Sequence, residues 1–197
     1  TLALDSTGTI ATSSGVANNS NFSIAANKII DSMTGAGTTD LGSYTLTIGD
    51  ASNTAASYGG IISGTGGITK AGTGTLTLSG INTYTGATTI SAGTLALDST
   101  GTIDTSSGVV NSSSLSIAAA KTIDSMTGTG TTALGSNTLT IGDASNTSST
   151  YGGIISGTGG SITKAGTGTL TLSGINTYTG ATTISAGTFA LDSTGTI

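Results

Sequence analysis

The 197-residue chain has no cysteine, no proline, no tryptophan and no histidine, and its basic residues are all lysines. Without cysteine there is no disulfide scaffold and no thiol chemistry. Without histidine there is no Ser-His-Asp hydrolase and no histidine–cysteine metal site. Four cations, Lys28, Lys70, Lys121 and Lys164, stand against nine acids, all aspartates, for a formal net charge of −5. A nucleic-acid surface needs clustered cations, so none is expected. No apolar run approaches the roughly 20 residues of a membrane-spanning helix, and no basic-plus-apolar leader is read at Thr1. The expectation is a segment without catalysis, cofactor, nucleic-acid partner or membrane contact of its own.

What is present is glycine, 33 of them, with threonine, serine and alanine, and Leu, Ile and Val at regular places. Disordered chains are poor in apolar β-formers and rich in charge; here only 7% of residues are charged. Two nested periods organise the chain. TLALDSTGTI at Thr1 returns at Thr94, 93 residues on, and as TFALDSTGTI at Thr188, 94 residues further, the extra residue being Ser161. The units are therefore 1–93, 94–187 and the start of a third, 188–197. Starting and stopping at one phase predicts a single segment cut from a longer array, with end-to-end strand pairing as its expected self-association.

The short period is an apolar–x–apolar triplet followed by a turn: Leu2-Ala3-Leu4, Phe22-Ser23-Ile24, Leu46-Thr47-Ile48, Leu76-Thr77-Leu78 and Leu95-Ala96-Leu97. The second copy continues it at Leu115, Leu139, Leu170 and Phe189. Alternation puts both apolar residues of a triplet on one strand face. Further apolar markers upstream (Val16, Leu41, Ile68, Ile90) make three short strands per turn. That is the signature of an all-β, coiled parallel β-solenoid of about eight turns. Leu2, Phe22, Leu46, Leu76, Leu95, Leu115, Leu139, Leu170 and Phe189 are expected to form one interior ladder. Glycines such as Gly15, Gly35, Gly66, Gly72, Gly86 and Gly93 are expected at corners that need positive φ. Weak helix formers and the lack of a 3.6-residue apolar period argue against helices.

The stretch GGITKAGTGTLTLSGINTYTGATTISAGTL, 66–95, returns at 159–189 with Ser161 inserted and phenylalanine at its end. It resembles the passenger-associated transport repeat of bacterial autotransporters. The matching positions include Gly66, Gly67, Lys70, Gly72, Gly74, Leu76, Leu78, Gly80, Asn82, Tyr84, Gly86, Thr88, Ile90, Gly93 and Leu95. The resemblance implies a right-handed β-helix passenger outside a Gram-negative cell, with a signal peptide and an outer-membrane translocator barrel elsewhere in the polypeptide. It implies a structural stalk of an adhesin-like surface protein, with host ligands taken by other regions, and brings no catalytic residues. The alternative is a self-assembling extracellular filament.

Candidate sites follow from the remaining polar residues. Asp5, Asp98 and Asp192, and Asp50 and Asp143, recur a whole repeat apart, an expected four turns, so they are read as turn formers rather than an acid pair. The glycine-rich calcium-roll pattern is missing. Lys70 and Lys164 are expected to be solvated corner residues, and Tyr84 and Tyr178 to pack over corners rather than offer a sugar-stacking face. Thr45-Leu46-Thr47 and Thr75-Leu76-Thr77 resemble steps of an ice-binding threonine ladder, which Thr1-Leu2-Ala3 and Asn21-Phe22-Ser23 interrupt.

Overall fold

The computed structural model describes residues 1–49, 55–142 and 148–197; Asp50 and Asp143 lie outside them. The described residues form 26 short strands, the longest of four residues, and no helix. Every strand pairing is parallel, as coiling demands, and the solenoid is right-handed with about nine turns. At ~4.8 Å per turn the rod is about 43 Å long.

Each turn has three sides, so the strands stack into three faces. The first face begins with the inward residues Leu2, Phe22, Thr39 and Ile62. It passes through the bridge between Ile81 and Thr102 and, higher up, carries Lys121, Leu139, Ile162 and Thr182. The second face stacks Lys28, Leu46, Ile68, Thr88, Val109 and Met126, then Ser149, Leu170 and Phe189. The third stacks Val16 on Met33, then Ala56, Leu76, Leu95, Leu115, Thr132 and Ile155. Outward-facing threonines keep the same register: Thr47, Thr69 and Thr89 form one rank, and Thr122, Thr140, Thr163 and Thr183 another.

The single interior ladder expected from the triplets is therefore three columns. Leu2, Phe22 and Leu139 lie on the first face, Leu46, Leu170 and Phe189 on the second, and Leu76, Leu95 and Leu115 on the third. The reason is the turn length. Leu2 pairs with Phe22, Phe22 with Thr39 and Thr39 with Ile62, steps of 20, 17 and 23 residues. The strands Thr38–Asp40 and Ala56–Tyr58 lack a large apolar pair, so counting triplets skipped them. Seven of the nine residues are buried; Phe189 is half-buried, and Leu2 is 46% exposed because only Phe22 stacks on it.

The corner glycines divide into two kinds. Gly72 and Gly93 do sit in the left-handed region, at φ 67° and 64°. Gly66 and Gly86 do not. There the turns approach so closely that a Cβ on Gly66 would lie 1.8 Å from the Tyr44 carbonyl oxygen, and one on Gly86 2.5 Å from Gly66. These glycines serve contact between turns rather than positive φ.

A buried polar corner as candidate functional site

The repeated 66–95 stretch buries Lys70, Asn82 and Thr88, and its second copy buries Lys164 and Asn176. In the strand Ile68–Lys70, alternation points Ile68 inward, Thr69 outward and Lys70 inward. Lys70 is fully buried, and so is Lys164 in the second copy. This overturns the solvated-corner expectation. The Lys70 ammonium donates to the carbonyls of Ala71, Gly72 (2.8 Å) and, one turn on, Ala92 (3.3 Å). Lys164 repeats the contacts to Ala165 and Gly166. The corner has turned out of the strand ladder, so its carbonyls need another donor, and an ammonium has three. Desolvation pulls both ammonium groups below the ordinary lysine value.

Lys28 and Lys121 are buried too, donating to the Gly8 and Ser99 carbonyls. All four basic side chains are thus inside, while Asp5, Asp40, Asp104 and Asp192 are exposed. Amine acylation followed by mass spectrometry is expected to leave Lys70 and Lys164 unmodified in the folded protein and to label both after unfolding.

Asn82, Tyr84 and Thr88 form the next corner. The Asn82 carbonyl oxygen accepts the Ile62 backbone N–H at 2.9 Å, and its amide donates to the carbonyls of Gly80 (3.0 Å) and Thr102 (2.9 Å). One side chain thereby ties three turns together. Tyr84 is wholly buried, its hydroxyl 2.6 Å from Thr88 Oγ1, which lies 3.0 Å from Ser106 Oγ. Asn176, Tyr178 and Thr182 repeat this arrangement. The tyrosines sit inside the corner, so their rings offer no sugar platform. Tyr84→Phe is expected to lower stability by about 1 kcal/mol, one net hydrogen bond, read from a denaturant midpoint.

A second buried network was not legible in the sequence. Asn18 donates to Thr39 Oγ1 and Tyr58 Oη, each at 3.1 Å, and Tyr58 Oη donates to the Gly37 carbonyl at 2.6 Å. Asn111, Thr132 and Tyr151 reproduce it, with the Gly130 carbonyl as acceptor. The 93-residue recurrence of all three residue types was the one available signal.

Asp5, Asp98 and Asp192 take the turn role expected of them. Asp98 Oδ1 accepts the backbone N–H groups of Thr100 and Gly101, each at 2.8 Å, and Asp5 and Asp192 repeat the pattern. Bonds from the Ser79 hydroxyl first, then from Gly101 and Thr100, hold the Asp98 carboxyl down to about 2. A lowered folded-state value stabilises the fold above the unfolded value of about 3.9. That contribution disappears as pH falls through 2. The melting temperature is expected to drop between pH 4 and pH 2, and less so in Asp98→Asn.

Among the described residues there is no pocket and no group of three or more metal-ligating side chains. The hydrogen-bonded corners provide rigidity and close stacking.

Comparison with known proteins agrees with this structural reading. Residues 68–97 and 162–191 match the Passenger-associated-transport-repeat family, spanning the lysine, asparagine and tyrosine corners in both copies. An adhesin autotransporter, BmaC, of Brucella suis biovar 1 (strain 1330) is 42% identical over 160 residues, covering 74% of this chain. The chain spans about 4% of the length of that relative. No solved structure matches. The chain is a right-handed β-solenoid built on two autotransporter passenger-associated transport repeats.

Proposed function

We propose that this segment is the shaft of an adhesin-like autotransporter passenger, displayed outside a Gram-negative cell through a translocator elsewhere in the polypeptide. It acts by holding other regions away from the cell surface and has no catalytic role. The observation that carries this reading is where its polar chemistry goes. Lys70, Asn82 and Tyr84, and their copies Lys164, Asn176 and Tyr178, are engaged inside the corners of a continuous coil, in segments matched by the transport repeat. The exterior carries acids and hydroxyls and no basic side chain, which also disfavours nucleic acid as a partner.

Beads coated with the purified segment test it. A shaft leaves bead binding to host cells and matrix proteins at the level of bare beads. Saturable binding by the segment alone would overturn the reading in favour of an adhesive face.

One observation favours a second reading. The in-register threonine ranks are more regular than the triplets alone indicated and fit an ice-binding face. Thermal hysteresis by the purified protein would establish it, and its absence removes it.

A further inference from the structure

The sequence period and the turn of the coil do not match. The chain visits the three faces in fixed order. From Leu2 to its equivalent Leu95 it passes 14 sides, counting those at Ile10 and Ile81 that hold no named strand. From Leu95 to Phe189 it passes 14 again, the inserted Ser161 opening the strand Ser161–Lys164 without adding a side. Fourteen sides are four turns and two-thirds. Leu2 accordingly lies on the first face, Leu95 on the third and Phe189 on the second.

We infer that the repeat is a screw-display device, in which each copy turns its outer surface by one face relative to the copy before it. Outward features follow the same rule. The rank Thr47, Thr69, Thr89 is on the second face, and its copy Thr140, Thr163, Thr183 is on the first. Ile81, 65% exposed beside Ile61, is on the first face, whereas its copy Ile175, 66% exposed beside Ile154, is on the third. One face meets the same feature again only after three copies, 14 full turns or about 67 Å at ~4.8 Å each.

This fixes the kind of partner the exterior fits. A flat, rigid surface cannot engage consecutive copies. Separate small partners, or neighbouring molecules on three sides, can each engage one. The consequence for a shaft rests on the proposed function, but the geometry does not: the bead assay and the measurement below fail independently.

Pulsed electron spin resonance between nitroxides on paired cysteines tests the screw, and the chain has no native cysteine to interfere. Thr69 and Thr163 are equivalent residues, four and two-thirds turns apart on different faces. Thr150 and Thr171 lie above Thr69 on its own face, four and five turns up. All four side chains point outward, and each pair is first checked for an unchanged β-sheet circular dichroism spectrum and melting temperature. The expected order is Thr69→Cys/Thr150→Cys shortest, Thr69→Cys/Thr171→Cys next by about one 4.8 Å turn, and Thr69→Cys/Thr163→Cys longest, because it adds the width of the rod. A Thr69–Thr163 distance equal to either same-face distance, or between them, overturns the inference.

Discussion

Leu76→Asp is expected to destabilise the solenoid by about 5 kcal/mol, the cost of an uncompensated buried charge, and to lower its melting temperature by about 10–20 °C. Leu76 sits in the third column between Ala56 and Leu95, fully enclosed. A carboxylate there meets only hydrocarbon above and below, and no basic side chain is near enough in the column to answer it. Leu76→Ala separates charge from lost volume, since a cavity alone costs about 2–5 kcal/mol. Thr77→Asp, on the same strand but outward, is expected to change stability by less than about 0.5 kcal/mol. Thermal unfolding followed by circular dichroism measures all three. Equal melting temperatures for the aspartates at 76 and 77 would mean that the inner and outer faces are misassigned.

The second large effect is at the lysine corner. Lys70→Met keeps the stem and removes the ammonium, leaving the carbonyls of Ala71, Gly72 and Ala92 without that donor. Each buried group left unsatisfied costs about 1–3 kcal/mol, so a loss of about 3 kcal/mol is expected. A solvated lysine would instead change stability by a few tenths. Lys164→Met should match it closely, because the second corner repeats the first. The two sites are almost five turns apart, so their effects should add. Denaturant midpoints at constant slope measure the cycle.

Much of the architecture was legible in the sequence because apolar triplets with alternating faces survive in almost every turn. The transport-repeat stretch was legible for the same reason, in two nearly identical copies. What escaped the triplet count was every side whose inward residue is polar. Thr39 is buried, yet it reads as part of a loop, because its partners Asn18 and Tyr58 stand about 20 residues away on either side. Missing those sides merged three columns into one and put repeat equivalents four turns apart instead of four and two-thirds.

The lysines show a different limit. Alternation alone places Lys70 on the same side as Ile68, and Lys28 on the same side as Ile30. Lysine is mostly a surface residue, and that general preference points the other way. The period was the better guide, because a corner carbonyl ring can hold an ammonium that a hydrocarbon core would reject.

The central claim is a three-sided coil whose turns run about 20 residues, and disulfide formation tests it directly. Thr47 and Thr69 are register partners on adjacent turns of the second face, within the Cα separation that a disulfide spans. Thr47 and Thr77 would be neighbours if the Leu46 and Leu76 strands stacked in one ladder, but here they lie on different faces. Under mild oxidation, Thr47→Cys/Thr69→Cys is predicted to cross-link in the folded protein and Thr47→Cys/Thr77→Cys to stay reduced. The reverse result would contradict the three-column solenoid.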